Sequence, residues 1–430
     1  MISYAFTLMS ICLVFQLLLK VPIGFALGSS SLLYIFVTDA PLSILAQYLT
    51  SYLNSFTLLA IPLFVLAGEF MNCGGITQRL IRLAHAMVGF ITGGLAHVTV
   101  LTNIFMAGIS GSSSADAAAT ALILVPEMKK QGYPLAFASA LSAAAATIGP
   151  IIPPSIHLVL LGAINEISIG RLLVGGILPG FLMGGSMMVY TVLIAKKRNF
   201  PKGTPTSFRE FLAALRGALL PLLTPIIIIV GMTMGICTPT EAAAIAAIYT
   251  FVLGFFVYGE IGKQDILQTL LNTIKVTSNI MIIVGFSGVF GWILISEQIS
   301  NLLIDSMAAF TSSPVILLMM MNLLLLFMGC FLSTTSMIVI FSPLFFPLVQ
   351  QYGIDPIHFG VAMMLNLEIG QLTPPVGITS FVVLDITKTP SAAFFKEIIP
   401  FIIGLIVVLL LTTYVPDIVL LIPNLMFGKG

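Results

Sequence analysis

The chain has 430 residues, of which 58% are hydrophobic and 8% charged, too little polar side chain to clothe a soluble globule. A polytopic protein of the lipid bilayer is the class that this balance predicts. The net charge of +1 leaves no basic surface for nucleic acid and no acidic tail for a charged partner. Four cysteines, each alone in an apolar run, lack the spacing of a metal site or a disulfide framework.

A membrane crossing needs about 20 apolar residues. In chain order, 3–19, 21–38 and 56–72 qualify. The first lacks a positive start and a cleavage site, so it is expected to stay as a span rather than leave as a signal peptide. Segment 93–128 is apolar at both ends, with Ser110-Gly111-Ser112-Ser113-Ser114 in its middle. It reads as a re-entrant hairpin, because non-helical backbone is tolerated at membrane depth only where protein covers it or it lines a cavity. A helix-capping loop at the membrane surface is the other reading. Segment 134–165 is a broken crossing, interrupted by Gly149-Pro150-Ile151-Ile152-Pro153-Pro154-Ser155, since tandem prolines cannot continue a helix.

A span at 172–195 leads to the basic linker 196–216, which contains Pro201, Gly203 and Pro205. Spans follow at 217–236, 239–258 and 274–296. A second hairpin at 314–350 has Ser333-Thr334-Thr335-Ser336 at its tip, and a second broken crossing at 356–386 is cut by Gly370-Gln371-Leu372-Thr373-Pro374-Pro375-Val376-Gly377. A last span covers 397–420.

Sliding the chain by 221 positions lays Gly149 on Gly370, Pro153-Pro154 on Pro374-Pro375, Pro126 on Pro347, Gly132 on Gly353 and Pro179 on Pro400. A chain built twice around interrupted apolar segments is the pattern of a secondary transporter with its site between the repeats. The expected fold is therefore all-α and polytopic. Its expected parts are N-terminal scaffold helices at 1–55, a first repeat at 56–195, the linker, central scaffold helices at 217–273 and a second repeat at 274–430.

Placing the basic linker in the cytoplasm puts Lys20, Arg79, Arg82, Lys129, Lys130, Lys263, Lys275, Lys388 and Lys396 on the same side, with only Arg171 and Lys429 outside. Ten crossings and two hairpins then leave both termini extracytoplasmic. An odd number of crossings between the hairpins makes the two repeats inverted, which is the basis of alternating access.

Enzyme signatures are absent from the sequence: there is no His-Glu-x-x-His, no nucleophile elbow and no phosphate-binding loop. An ion gradient, or a partner protein, is the expected source of energy. Sodium, a hard cation, calls for hydroxyl and carbonyl oxygens. Ser110, Ser113 and Ser114 facing the carbonyls of Gly149 to Ile152 offer one such set, and Gly329 with Ser333 to Ser336 facing Gly370, Thr373 and Val376 offers another. The helix after each tip points its positive end at the hydroxyls, which favours a substrate carboxylate. The substrate set is accordingly Ser112, Ser114, Asp116, Pro154, Ser155, Thr334, Thr335, Ser336 and Pro375. Asp116 has a second reading as a first-turn capping residue, and Glu241 divides between a functional acid and a helix N-terminal residue. Glu69, Glu368 and Asp385 are further acids within apolar segments.

Gly111-Ser112-Ser113-Ser114-Ala115-Asp116, Gly132-Tyr133-Pro134, Ile148-Gly149-Pro150-Ile151-Ile152-Pro153-Pro154-Ser155 and Thr238-Pro239-Thr240-Glu241-Ala242-Ala243 strongly resemble the large membrane subunit of tripartite ATP-independent periplasmic (TRAP) transporters. The resemblance runs over nearly the whole chain. It implies a sodium-coupled importer of an organic acid anion, such as a C4-dicarboxylate or sialic acid, in the bacterial inner membrane. An elevator-like mobile domain would hold both hairpins, as in the wider ion-transporter superfamily. A small four-span subunit, expected as a separate polypeptide, and a soluble periplasmic binding protein would be its partners. Carried over residue by residue, the family's sodium sites fall at Ser110, Ser113 and Gly149, with the Ile152 carbonyl, and at Gly329, Gly370 and Thr373, with the Val376 carbonyl. A self-sufficient sodium/anion symporter without a binding protein is the alternative.

Overall fold

The structure is a computed structural model that describes residues 3–19 and 21–428, without the side chains at 109, 110 and 308. Lys20, Lys429 and the side chain of Ser110 thus lie outside the described residues. Those residues fold into α-helices joined by short turns, and the one β feature among them is an isolated bridge between Thr92 and Lys202.

The chain opens with α1 (Tyr4–Leu18), α2 (Ile23–Val37), α3 (Ser43–Leu53), α4 (Ala60–Cys73) and α5 (Ile76–Val88). Next, α6 (Gly94–Ser110) and α7 (Ser113–Lys130) flank the first hydroxyl tip, while α8 (Leu135–Ala146) and α9 (Ile156–Ile164) flank the first Pro-Pro break. The first half closes with α10 (Ile169–Gly175) and α11 (Ile177–Lys197). Beyond the linker come α12 (Phe208–Thr233), α13 (Pro239–Val252), α14 (Lys263–Ser296) and α15 (Ile299–Phe310). The earlier order then returns: α16 (Pro314–Gly329) and α17 (Thr334–Gln351) around the second tip, α18 (Pro356–Gly370) and α19 (Ile378–Thr387) around the second break, and finally α20 (Ser391–Tyr414) and α21 (Asp417–Phe427).

The duplication seen in sequence reappears in the helix boundaries. α7 runs from 113 to 130 and α17 from 334 to 351, the same displacement of 221 residues at both ends, and α8 and α18 begin at 135 and 356. Both Pro153-Pro154 and Pro374-Pro375 are joined by cis peptide bonds.

Seven helical stretches among the described residues are long and apolar enough to cross a membrane: 56–73, 169–197, 208–233, 239–257, 263–296, 334–351 and 391–414. α1 and α2 have 15 residues each, roughly 22 Å at 1.5 Å per residue. α14 has 34 residues and starts well before the apolar run at 274. Asp265 accepts from the Gly262 amide and caps that early start. The amphipathic helices α3, α5 and α15 have no counterpart among the apolar runs because they are short and alternate in polarity. In α5, Ile76, Leu80, Leu83 and Ala84 are buried while Arg79 and Arg82 lie on the less buried side.

Segment 172–195 lies within the single stretch 169–197, with a turn between α10 and α11 at Gly176, whose missing side chain lets the Ile151 carbonyl oxygen approach. One predicted span is divided. Segment 397–420 breaks at Val415-Pro416, and α21 begins just beyond it. Glu241 forms a capping box: its carboxylate accepts from the Thr238 amide at 2.8 Å, and Thr238 Oγ1 accepts from the Glu241 amide at 3.3 Å.

The two helices that precede the Pro-Pro breaks form the centre of the molecule. α8 is buried without interruption from Phe137 to Ala146, and α18 from Ile357 to Gly370. The alanines of α8 allow α7, α6 and α20 to pack closely around it. At the periphery, α1 and α12 expose Tyr4, Ile11, Phe15, Phe208, Leu219 and Ile226, apolar side chains suited to a bilayer.

Candidate transport site between the two hairpin tips

The first tip turns on Gly111, in the left-handed region at φ 59, followed by extended Ser112 at the start of α7. A Cβ at Gly111 would lie 3.1 Å from both Pro154 O and Ile156 N, so glycine is needed for the angle and for the approach to the broken segment. At the second tip, Ser333 is the N-cap of α17 and accepts from the Ser336 amide at 3.3 Å.

The two tips share one cavity of about 280 Å³. Ser112, Ser113 and Ser114 line it from the first copy, Ser333, Thr334, Thr335 and Gln371 from the second, and Asn279 from α14, with Val276, Ile280 and Ile283 adding an aliphatic wall. His157, on α9, also faces it. A neighbouring cavity of about 520 Å³ shares Asn279, Ile283 and Ser333 with the first and adds Ser336 and residues of α1 and α2.

Hydrogen bonds run from one copy to the other. Thr335 Oγ1 lies 3.3 Å from His157 Nε2. Thr379 donates to Gln371 Oε1 at 3.2 Å and lies 3.4 Å from Ser113 Oγ. Thr334 donates to Glu368 Oε1 at 2.9 Å, and Gln371 Nε2 reaches both that oxygen and Thr334 Oγ1. Glu368 is fully buried.

The expected ion residues divide into two groups. Gly329 and Gly370 meet backbone to backbone, with no room for a Cβ between them, and Thr373 donates its amide to Gly370 O at 3.0 Å. The Thr373 hydroxyl donates to Ile369 O at 2.9 Å, so the second group clusters at the end of α18. Val376 is exposed. In the first copy Gly149 lies against Asp116, whose Oδ2 occupies the space a Cβ at 149 would need. Ile152 is nearly buried and packs on Gly180.

The expected substrate residues are placed unequally. Ser112, Ser114, Thr334 and Thr335 line the shared cavity, and Ser112 and Ser114 lie 3.3 Å apart. Ser336 lines the neighbouring cavity. Asp116 is fully buried and stands with Gly149 rather than at the cavity wall. Ser155 is the N-cap of α9: it accepts from the Leu158 amide at 3.1 Å and donates to Pro150 O. Pro154 is buried, whereas Pro374 and Pro375 are exposed.

His157, Asn279, Gln371 and Thr379 join the site without having been singled out from sequence. Polar residues within apolar segments, such as Asn279 after Thr277 and Ser278, were the available signal. Glu69 accepts from Asn272 at 3.4 Å, and Asp385 pairs with Lys388 at 2.7 Å on the surface.

Many buried helices, duplicated boundaries and a polar cavity between two helix starts define a multi-pass membrane protein with an internal polar site. The family described as "Tripartite ATP-independent periplasmic transporter, DctM component" matches residues 10–418. The chain is 38% identical to the sialic acid TRAP transporter large permease protein SiaM of Vibrio cholerae, over 95% of this chain and 96% of that one. It is 40% identical to the C4-dicarboxylate TRAP transporter large permease protein DctM of Pseudomonas aeruginosa, over 86% of each, and 34% identical to the 2,3-diketo-L-gulonate TRAP transporter large permease protein YiaN of Escherichia coli, over 95% of this chain and 97% of that one. The chain therefore belongs to the DctM family of TRAP transporter large permeases. A likeness to the solved YdaH transporter of Alcanivorax borkumensis, at TM-score 0.66 and 16% identity over 98% of this chain and 100% of that one, bears on the fold alone.

Proposed function

We propose that this protein imports an organic acid anion across the bacterial inner membrane, driven by sodium and supplied by a periplasmic binding protein. The observation that carries the reading is the shared cavity, in which hydroxyls of both tips meet at the starts of two 18-residue helices. Those helix starts present amide donors and the positive end of the dipole to a carboxylate. The neighbouring hydroxyls and amides recognise the polar remainder of the substrate. The printed substrates of the relatives, sialic acid, C4-dicarboxylate and 2,3-diketo-L-gulonate, belong to one chemical class that fits such a lining.

Sodium binds in two places, one at Gly149 with Ser113 and the Ile152 carbonyl, the other at Gly329, Gly370 and Thr373 with the Val376 carbonyl. Both lie beside tip residues that line the cavity, so ion binding and substrate binding order the same segments. The two copies are inverted repeats, and the hairpin-bearing part moves as an elevator against a scaffold that includes α14. Both termini are periplasmic. A small four-span membrane subunit completes the complex; this chain covers 64% of the isethionate TRAP transporter permease protein DctMQ of Oleidesulfovibrio alaskensis, which leaves room there for a further segment.

The test is uptake of labelled sialic acid and C4-dicarboxylates into proteoliposomes containing this chain, its small subunit and its binding protein, with and without an inward sodium gradient. Uptake that needs both sodium and the binding protein is the expected result. Uptake indifferent to the binding protein supports a self-sufficient symporter, and uptake indifferent to sodium removes both ion sites.

A further inference from the structure

Different faces of α14 meet different neighbours. A Cβ on Gly24 would meet Ile282 and one on Gly28 the Phe286 ring, so that face lies on α2. A Cβ on Gly285 would meet Leu49 and Leu53, and one on Gly288 would meet Tyr52, so a second face lies on α3. Val276, Asn279, Ile280 and Ile283 recur at helical spacing on another face, which walls the cavity between the two tips.

Asn279 is the polar member of that wall. Its side chain is exposed, and among the described residues no hydrogen bond within the protein engages its amide. The hydroxyls above and below it on α14 are already engaged, Thr273 with Thr269 O at 2.8 Å and Ser287 with Val284 O at 2.6 Å. Beyond Ser287, Phe290 and Leu294 are apolar and buried. Asn279 also borders the neighbouring cavity of about 520 Å³, together with Val21 and Pro22 of the turn between α1 and α2. The charge pattern assigns that turn, next to Lys20, to the cytoplasmic side. The amide thus stands where the cavity of the tips adjoins the one that reaches the cytoplasmic turn.

We propose that Asn279 is a substrate contact contributed by the scaffold, made only while the tips stand at the cytoplasmic level. The inference rests on the elevator reading above and deepens it. Tip residues such as Ser112 and Thr334 travel with the substrate and hold it in both states. α14 stays behind, so its amide hydrogen-bonds a carboxylate or hydroxyl of the substrate in one state, and outward movement leaves that amide for an apolar stretch of wall. A group that touches the ligand in one state changes the affinity of that state alone. Asn279 therefore sets how tightly the acid is held before its release to the cytoplasm.

The experiment measures uptake of labelled sialic acid and succinate into proteoliposomes of the complete complex. Binding protein is added outside only, which restricts uptake to complexes whose periplasmic face points outward. Two quantities are read: the external KM for loaded binding protein, and the concentration of the same unlabelled acid, preloaded inside, that halves the initial rate. The variants are Asn279→Leu, the smaller Asn279→Ala, and Ser278→Ala, an exposed neighbour that lines neither cavity. Both Asn279 variants should raise the internal half-inhibitory concentration by about three- to tenfold, the effect of one hydrogen bond, and leave the external KM near its original value. Ser278→Ala should change neither quantity.

An internal half-inhibitory concentration that both Asn279 variants leave unchanged would overturn the contact, with sodium coupling and dependence on the binding protein still standing. Changes on the outside, alone or equal to those inside, would overturn the one-state assignment, because the amide would then accompany the substrate across the membrane. Internal acid that fails to inhibit the unsubstituted protein overturns it as well. If the unsubstituted complex takes up neither acid, the transport reading falls first and this assignment falls with it.

Discussion

The hydroxyl of Thr379 lies 3.4 Å from that of Ser113, although 266 positions separate them in the chain. One belongs to the helix after the second Pro-Pro break and the other begins the helix after the first hydroxyl tip. Thr379 also donates to Gln371, which reaches Thr334 at the second tip, so hydrogen bonds join the two tips. Thr379→Val keeps the shape and removes the hydroxyl. Losing this buried donor should lower stability by about 1 kcal/mol and weaken uptake several-fold, as measured by chemical unfolding and proteoliposome transport.

The glycine pair at the second ion group gives a steric prediction. A Cβ on Gly370 would meet the Gly329 backbone, which cannot swing aside as a side chain can. Gly370→Ala should cost about 1–3 kcal/mol and abolish sodium-dependent uptake. Gly185→Ala is the comparison, because a Cβ there has nothing within 4 Å. It should leave the melting temperature and transport close to those of the unsubstituted protein.

Gly111 and Gly132 separate backbone strain from crowding. Both have positive φ, 59 and 91, but a Cβ at Gly132 meets nothing within 4 Å, whereas at Gly111 it presses on Pro154 O and Ile156 N. Alanine at either position should destabilise by roughly 1–2 kcal/mol through the backbone angle. Only Gly111→Ala should also impair uptake, since it displaces the first tip from the broken segment.

His157 supplies a ring at the cavity wall and contacts Thr335 across the copies. His157→Leu should raise the KM for the transported anion several-fold, by removing about one hydrogen bond's worth of recognition, while the sodium midpoint stays near its original value. Equal changes in the substrate and sodium midpoints would instead show that the ring acts on the fold of the tip.

Much of the fold was legible in sequence, and for local reasons. Tandem prolines forbid helix continuation wherever they fall, so the gaps between α8 and α9 and between α18 and α19 were visible as Gly-Pro-Ile-Ile-Pro-Pro and Gly-Gln-Leu-Thr-Pro-Pro. The hydroxyl tips were visible as polar interruptions of apolar runs. α5 and the first turns of α14 were not, because an apolar-run reading overlooks amphipathic helices and polar helix starts. The close approach of the Ile151 carbonyl to Gly176 is a through-space relationship that the local sequence does not show.

The site was partly legible. Ser112, Ser114, Thr334 and Thr335 were marked by composition and all line the cavity. Ser155 carried the same chemistry but faces inward as a helix cap, which only its bonds to Leu158 and Pro150 reveal. Glu241 was open between two roles, and its capping-box geometry gives it the structural one.

By itself, the sequence determined the membrane class, the doubled order of tips and breaks, and the residue types available to bind an anion or a hard cation. These follow from apolar run length, from the backbone limits of proline and glycine, and from side-chain chemistry, all carried by residues close together in the chain. Tertiary structure alone decided which groups meet: Ser113 with Thr379, His157 with Thr335, Asp116 with Gly149, and Glu368 with Thr334. It also buried Pro153-Pro154 and left Pro374-Pro375 exposed, although the two motifs are nearly alike. Those outcomes depend on how helices far apart in the chain pack against one another, and packing is set by the shapes of all the partners together.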